Sequence, residues 1–167
     1  MPVGLPPAQP LLPPYGHLDR RAVECAAAAA RYYDVPELLL HAILQKENGR
    51  VGEMTRNKNG SWDIGIAQIN SGWLPRFAPY GVGAQALRDN SCTNIYAEAW
   101  VLRYNANLVA NDWFKATMAY NIGVKTRAPE RLRAGYRYAV EVVNRWWKLH
   151  QYVTSAAALA RTESTGP

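Results

Sequence analysis

Apolar residues recur every three or four positions over most of the chain between residues 17 and 152, which is the spacing of helices with one buried face. Asp19 is suited to cap a first helix that ends near Tyr33. The same pattern predicts further helices at about 73–78, 93–111, 113–120 and 134–152. The sequence therefore predicts a mainly helical fold.

A second helix is predicted from Pro36 to about Glu47. Asp34 precedes it as a capping carboxylate, and a proline is tolerated in a first turn because its missing N–H would have no helical partner there. Asn48-Gly49 then follows, a dipeptide that readily takes the left-handed conformation in which helices end.

A small β element is predicted between residues 56 and 69. Asn59-Gly60 is a strong hairpin-turn dipeptide, and the strand-forming residues Trp62 and Ile64 come directly after it. We therefore expect a mainly α fold, in which one compact helical domain carries a small β hairpin or ordered loop.

The two ends of the chain differ from its middle. Residues 1–16 contain six prolines and two glycines, which predicts a flexible or surface-bound arm. Residues 153–167 are small and polar and predict a flexible tail, so the folded domain is expected at 17–152. Met1–Pro14 lacks the basic segment and the continuous apolar segment of a secretory leader, and we expect no leader within it.

Composition narrows the class of protein. Hydrophobic residues make up 49% and charged residues 19% of the chain, as in ordinary globular domains. The apolar windows, such as Leu38–Leu44, are far shorter than the roughly 20 residues of a membrane-spanning helix. The net charge of +6 suits a polyanion such as a bacterial cell wall, a lipid surface or nucleic acid. Because the cationic residues are scattered, we expect no nucleic-acid partner.

Cys25 and Cys92 are separated by sixty-six residues, which fits no metal-binding spacing such as C-x-x-C. Two buried thiols and one long-range disulfide both remain open on this evidence. The three histidines, His17, His41 and His150, have no partner at helical spacing among themselves. We therefore expect neither a metal site nor a cofactor.

Glu47 is the residue most suited to chemistry. The apolar stripe of the second helix, Leu40, Ile43 and Leu44, continues by steps of three and four onto position 47. A carboxyl group at the end of such a stripe is directed towards the core or a cleft. Burial there would raise its pKa, as in general acids that remain protonated near neutral pH. The alternative is a helix-terminal glutamate that bends out to water.

Four motifs follow one another in the chain: Glu47-Asn48-Gly49, Asp63–Asn70, Ala119–Gly123 and Tyr136–Tyr138. In this order they resemble the lytic transglycosylases of the soluble-transglycosylase type, over about residues 17–147. The resemblance is greatest to the small, single-domain members that open the wall for conjugation or secretion machines. Their segment Tyr-Asp-Ile-Gly-Leu-Met-Gln-Ile-Asn is similar to Trp62–Asn70 here. The resemblance implies a lysozyme-like fold.

The resemblance also implies a reaction in which Glu47 is the single acid and base. It would protonate the glycosidic oxygen of peptidoglycan and then take the proton of the C6 hydroxyl of the muramic acid residue. Tyr138 would donate a hydrogen bond to Glu47, and Asn121 would orient the acetamido group. The remaining residues expected to bind the substrate or support the site are Asn48, Asp63, Gln68, Ile69, Asn70 and Tyr120.

Three departures from the family pattern are present, of which the mildest is Trp62 in place of a tyrosine. Glu-Ser becomes Glu47-Asn48, and Gly-Leu-Met-Gln becomes Gly65-Ile66-Ala67-Gln68. Alanine in place of methionine is expected to widen or reshape a sugar subsite.

Further expectations follow from the resemblance. Cys25 and Cys92 correspond to the cysteine pair of the small members and are expected to form a disulfide. The protein is expected to be periplasmic or secreted, monomeric and without a transmembrane segment, and its partners to be glycan strands and components of a conjugation or secretion machine. The alternatives are a hydrolytic muramidase similar to goose-type lysozyme, and a wall-binding scaffold without activity.

Overall fold

In a computed structural model of the protein, which describes residues 9–164, the fold consists of helices and a small antiparallel sheet that contacts the helices Ala84–Asp89 and Ser91–Leu108. The helices of this described part are α1 Arg20–Tyr33, α2 Glu37–Glu47, α3 Leu74–Phe77, α4 Ala84–Asp89, α5 Ser91–Leu108, α6 Trp113–Ile122 and α7 Pro129–Ser164. The strands are β1 Met54–Arg56, β2 Trp62–Ile64 and β3 Ile69–Asn70. Two 3₁₀ turns, Ser71–Trp73 and Ala78–Tyr80, flank α3. The predicted mainly α class with a small β element is confirmed.

Helix α2 lies at the centre of the fold. All seven residues of Leu38–Leu44 are buried, because α1, α5 and α7 all contact this helix. Its last residue is Glu47, and Asn48 follows in the left-handed conformation with φ 50°. The predicted helix end is therefore confirmed, with asparagine rather than Gly49 as the left-handed residue.

The predicted capping role of Asp34 is wrong. Asp34 ends α1 in the left-handed conformation with φ 52°, and its N–H donates to the carbonyl of Ala30. Its side chain faces Arg103 of α5 at 3.3 Å, and Pro36 takes the position before α2 without a side-chain cap. An aspartate between two closely spaced helices can either end the first helix or cap the second. The sequence does not distinguish these two roles, which explains the error.

Helices α1 and α5 pack together through alanines of α1, among them Ala22, Ala26 and Ala29, whose small side chains allow close approach. A disulfide between Cys25 and Cys92 joins the two helices, with 5.4 Å between their Cα atoms. The expected pairing of the cysteines is thus present in the structure.

The sheet has the order β1-β2-β3, and both pairs of strands are antiparallel. The turn between β1 and β2 contains Asn59 and Gly60, and Gly60 has φ 85°, a conformation that favours glycine. Opposite residues include Met54 with Ile64 and Asp63 with Asn70. The predicted hairpin is confirmed, and the third strand brings Asn70 beside Asp63.

The last helix differs from its predicted span of 134–152. It begins at Pro129, since proline suits a first helical turn, and it continues to Ser164 through an alanine-rich stretch of high helix propensity. Most of the residues predicted to form a flexible tail are thus helical. The short helix α4 was not predicted, because six residues carry too little periodicity.

The described part of the proline-rich arm lies against the fold. The Leu11 N–H donates to Glu37 at 2.7 Å, and the Tyr15 hydroxyl contacts His41 Nδ1 at 2.7 Å. Leu12 is buried. The predicted arm and tail also include residues 1–8 and 165–167, which lie outside the described residues.

Candidate active site

A cleft of about 580 Å³ lies between the small sheet, the end of α2 and the helices α5, α6 and α7. Most of its lining is polar. The residues that line it are Glu47, Asn57, Lys58, Asn59, Ser61, Asp63, Gln68, Ile69, Asn70, Trp73, Val101, Ala119, Tyr120, Asn121, Ile122, Gly123 and Arg131. The first three sequence motifs therefore meet in one place.

Glu47 enters this cleft from the end of α2, three residues after the last buried residue of the helix, Leu44. Burial raises the pKa of its carboxyl group to about 6, and the negative charge of Asp63 acts in the same direction. The hydrogen bond from Tyr138 and the charge of Lys46 lower this pKa. The net result is a carboxyl group that exchanges its proton near neutral pH, as a general acid and base must.

Tyr138 does not line the cleft but lies beside it, buried on α7. Its hydroxyl donates a hydrogen bond to Oε1 of Glu47. A second contact between the same helices, Lys46 Nζ to Glu141 Oε2 at 2.6 Å, lies one residue before Glu47. Helix α7 thus fixes the end of α2 from two sides.

The loop from Ile64 to Gln68 is mostly buried and brings Gln68 into the lining of the cleft, and one buried side chain holds this loop. Asn94 of α5 donates two hydrogen bonds of 2.8 Å, to the carbonyls of Ile64 and Leu87, and accepts one of 2.9 Å from the Ala67 N–H. These bonds satisfy the backbone of a buried loop that has few partners of its own.

Two more contacts complete the loop. The Tyr120 hydroxyl donates to the Ala67 carbonyl at 2.8 Å, and Gln68 Nε2 donates to the Gly65 carbonyl at 2.8 Å. Gln68 has φ 50°, a left-handed conformation that costs a non-glycine residue about 1 kcal/mol or more. The surrounding hydrogen bonds offset this cost and direct Gln68 along the cleft.

Two glycines allow the helix end and the loop to meet. A Cβ atom at Gly49 would lie 2.2 Å from the Gly65 carbonyl oxygen and 2.8 Å from Gln68 Nε2. At Gly65, with φ 68°, it would lie 2.3 Å from Asn94 Nδ2. All three distances are well below van der Waals contact. The close approach of the end of α2 to the loop therefore requires glycine, which has no side chain, at both positions.

Asp63 occupies β2 on the wall of the cleft. Asn70 Nδ2 donates to Asp63 Oδ1 at 2.9 Å and to Ser61 Oγ at 3.0 Å. The carboxylate is thus braced by the neighbouring strand, and its charge acts on Glu47. Asp63 also lines the cleft, so this bracing leaves it beside the space in which a molecule can bind.

A second carboxyl group, that of Glu98, lies behind the site on α5. It is fully buried, and neither of its oxygens has a hydrogen-bond partner among residues 9–164. Burial, and next to it the charge of Glu47, raise the pKa of Glu98 well above its ordinary value. The protonated, uncharged form of Glu98 is therefore favoured beside Glu47.

The structure brings most of the predicted residues together. Glu47, Asp63, Gln68, Ile69, Asn70, Tyr120 and Asn121 line the cleft. Asn48 is exposed and does not line it. Ala67 does not line the cleft, since its side chain is fully buried and its carbonyl accepts the bond from Tyr120. The expectation that alanine in place of methionine widens or reshapes a subsite stays a prediction.

Other lining residues were not predicted. Lys58 and Asn59 belong to the hairpin turn, which the sequence indicated without a role in binding. Arg131, at the start of α7, and Val101, on α5, carry no local signal of a cleft. Trp73 is the exception, because the sequence already offered it as a tryptophan that could stack on a sugar; it lines the cleft and packs edge-on against Trp100 at 5.8 Å between ring centres.

Within the described residues, no group of three histidine, cysteine, aspartate or glutamate side chains is placed to hold a metal ion. No helix of that part is both long and apolar enough to cross a membrane.

Comparison with known sequences decides the family. The sequence model of the family described as "Transglycosylase SLT domain" matches residues 24–137. The chain belongs to this family. It is thus a lytic transglycosylase enzyme with the lysozyme-like fold of the SLT domain, and the cleft suits the peptidoglycan on which this family acts.

Curated relatives of this SLT domain have similar lengths. Protein IpgF of Shigella flexneri is 30% identical over 134 residues, which cover 80% of this chain and 84% of that protein. Invasion protein IagB of Salmonella typhimurium strain SL1344 is 29% identical over 127 residues, or 75% of this chain and 77% of that protein. An Escherichia coli protein named X polypeptide is 31% identical over 129 residues, 76% of each chain.

Proposed function

We propose that this protein cleaves the β-1,4 bond between N-acetylmuramic acid and N-acetylglucosamine in peptidoglycan and leaves 1,6-anhydro-muramic ends. One observation carries the proposal above all. Glu47 is a partly desolvated carboxyl group, with its pKa raised to about 6, inside a cleft lined by amide, hydroxyl and aromatic side chains.

In the first step Glu47 donates its proton to the glycosidic oxygen. The bond from that oxygen to C1 of the muramic residue breaks, and the glucosamine unit leaves with a new hydroxyl group. The carbonyl oxygen of the muramic N-acetyl group stabilises the electron-poor C1. The hydrogen bond from Tyr138 stabilises the carboxylate that forms on Glu47.

In the second step the carboxylate of Glu47 removes the proton of the C6 hydroxyl, and O6 forms a bond to C1. Glu47 regains its proton, so no water is consumed. Such an intramolecular attack can have an effective molarity on the order of 10⁵–10⁸ M, which allows one carboxyl group to suffice. In this scheme Gln68 and Asn121 bind the acetamido and hydroxyl groups of the sugars from the lining of the cleft.

Asp63 supports a second candidate, a hydrolytic muramidase. It shares the cleft with Glu47, and a second carboxylate can activate water in glycosidases. The bracing by Asn70 favours a supporting role for Asp63 instead. A wall-binding scaffold without activity is the third candidate, and the tuned carboxyl group of Glu47 argues against it.

Mass spectrometry of purified cell wall digested by the protein distinguishes the candidates. Anhydro-muramic ends support the proposal, whereas reducing muramic ends identify a muramidase. Glu47→Gln is expected to abolish release of either product. Glu24→Gln, an exposed position on α1, serves as the matched control and should digest wall normally. Wall digestion by Glu47→Gln at the wild-type rate would contradict the role of Glu47.

We propose further that the enzyme acts as a monomer in the periplasm or outside the cell and opens the wall locally for a conjugation or secretion apparatus. The substrate and the disulfide fit an oxidising compartment. The name of IagB, an invasion protein, is compatible with such a purpose. Deletion of the gene, with complementation by the wild type or by Glu47→Gln, would test whether assembly of such an apparatus needs the activity.

A further inference from the structure

A second groove, which the proposed reaction does not use, lies between the end of α1, the segment 77–82 and α5. Its volume is about 500 Å³. Six of its ten lining residues are aromatic, and none is charged. The ten are Tyr32, Tyr33, Phe77, Tyr80, Val82, Cys92, Thr93, Tyr96, Ala97 and Trp100.

The rings present both edges and faces to this groove. Tyr32 and Tyr33 pack at 85° with 4.8 Å between ring centres, and Tyr33 meets Tyr96 at 72° and 6.3 Å. The side chains at the rim are open to solvent, since Tyr32 is 48% and Tyr80 is 76% exposed. Large aromatic side chains exposed together in a concave surface are typical of a binding site.

The phenol groups converge on the groove. Tyr32, Tyr33, Tyr80 and Tyr96 all line it, and the rings of Tyr32 and Tyr96 lie 6.5 Å apart between centres. Burial raises the pKa of Tyr33 and Tyr96, and the neighbouring tyrosines act in the same direction. The groove therefore offers donors and acceptors as well as apolar ring faces.

These properties define the chemistry of a ligand. A ligand without charge is favoured, because the lining holds no ion to pair with one. Flat apolar faces edged by hydroxyl and amide groups match aromatic rings edged by phenols, and N-acetylated sugars have such faces. A purely apolar protein segment would bury the phenols without partners, which costs free energy.

The groove and the active-site cleft lie on either side of one pair of aromatic rings. Trp73 lines the cleft, and its ring packs edge-on against Trp100, which lines the groove. Phe77 also packs against Trp100, at 5.4 Å between ring centres, and lines the groove. A glycan strand longer than the cleft would therefore find a second aromatic surface close by.

We propose that this tyrosine groove binds the N-acetylated glycan at a distance from the scissile bond, as a second site for the strand that the cleft cleaves. The inference rests on the proposed function for the identity of the polymer. It assigns to Tyr32 and Tyr80 a role in holding long strands, with no part in the reaction itself.

The test uses the full chain and two probes, the dimer and the hexamer of N-acetylglucosamine. Tyr32→Ala and Tyr80→Ala, separately and together, remove exposed rings that the core does not need. Tyr152→Ala on α7 is the matched control, with a side chain that is 54% exposed and does not line the groove. Calorimetry gives the affinities, and the indole N–H signal of Trp100, assigned with Trp100→Phe, reports binding in the groove.

We expect the double variant to bind the hexamer about three- to tenfold more weakly, as the loss of stacking on two rings predicts. Dimer affinity and the Tyr152→Ala protein should be unchanged, and the Trp100 signal of the wild type should move with hexamer. Equal hexamer affinity in wild type and double variant, or no hexamer binding at all, overturns the inference. So does an apolar peptide that moves the Trp100 signal when the hexamer does not.

The two proposals can fail separately. If the wall is digested to anhydro ends while the tyrosine variants bind the hexamer normally, only the second site is wrong. If the wild type cleaves no wall but the variants lose hexamer affinity, the groove is retained and the proposed reaction is wrong.

Discussion

The hydroxyl of Tyr138 on α7 donates a hydrogen bond to Oε1 of Glu47 at the end of α2, ninety-one residues earlier in the chain. The bond lowers the pKa of Glu47, whereas burial raises it by a larger amount. The acidity of the candidate catalytic group is thus set by two opposing effects. The effect of the hydrogen bond can be removed by deleting one oxygen atom, that of the Tyr138 hydroxyl.

Tyr138→Phe should raise the pKa of Glu47 and weaken its carboxylate form. Loss of a hydrogen bond to a charged group costs about 1.5–3 kcal/mol, which predicts a fall in kcat on the order of tenfold to a hundredfold with little change in KM. Rates of wall digestion over a range of substrate concentrations give kcat and KM, and their dependence on pH gives the pKa of Glu47. Tyr136→Phe, an exposed phenol on the same helix, is the control. An unchanged pH profile in Tyr138→Phe would show that this bond does not tune the reaction.

Wall digestion should have a pH optimum near or below 6. Above the pKa of Glu47, about 6, its protonated fraction falls tenfold per pH unit, and kcat/KM falls with it. On the acid side the rate should also fall, because the carboxylate formed in the first step must accept a proton in the second. A rate that stays flat from pH 4 to pH 8 would be incompatible with Glu47 as the single acid and base.

Glu98→Met should stabilise the protein at neutral pH. The raised pKa of Glu98 means that the folded state keeps a proton which the unfolded state releases above about pH 4.5. The contribution of Glu98 to the free energy of unfolding is therefore most favourable below pH 4.5 and becomes less favourable as the pH rises. Replacing an unpartnered carboxyl group by an apolar side chain of similar length should add about 1–3 kcal/mol to the free energy of unfolding.

Urea unfolding of Glu98→Met at pH 4.5 and pH 7.5 measures this effect, with Glu24→Gln as an exposed control. The gain should be larger at pH 7.5. A loss of stability at both values would mean that Glu98 has a partner that the structure does not show.

Gly49→Ala should reduce both stability and activity, because its Cβ would overlap the Gly65 carbonyl. Overpacking of this kind costs about 1–3 kcal/mol, and it moves the end of α2 away from the loop that carries Gln68. Gly83→Ala is the matched control, since a Cβ there meets no atom within 4 Å. Thermal unfolding and wall digestion are measured on both. A Gly49→Ala protein with normal activity would show that the spacing of α2 and the loop does not matter.

Removal of the disulfide by Cys25→Ser with Cys92→Ser should lower the free energy of unfolding. The bond closes a loop with a sequence separation of 67 residues, which the chain-entropy model values at about 4 kcal/mol. Denaturant unfolding with and without a thiol reductant checks this. The wild type should lose stability in reductant and the double variant should not, and equal stability of all four samples would refute a stabilising role.

The sequence predicted the helices well where an apolar stripe or a cap marked them, as in α1 and α2. It failed where two signals coincide, as at Asp34, and where helix propensity rather than a buried face extends an element, as at the end of α7. The ordered motifs located Glu47, Gln68 and Asn121 in one cleft. They gave no sign of Asn94, because its partners are backbone atoms about thirty residues earlier, and such contacts leave no pattern in side-chain type.

The bonds of Asn94 divide the loop into positions that act on the cleft in different ways. The main chain at Ile64 and Ala67 is held by one amide, and the side chains of Ile66 and Ala67 lie in the core. Substitutions at positions 66 and 67 therefore reach Gln68 only through changes in core packing. Substitution of Asn94 instead removes both of its bonds to the loop at once and frees the backbone that precedes Gln68.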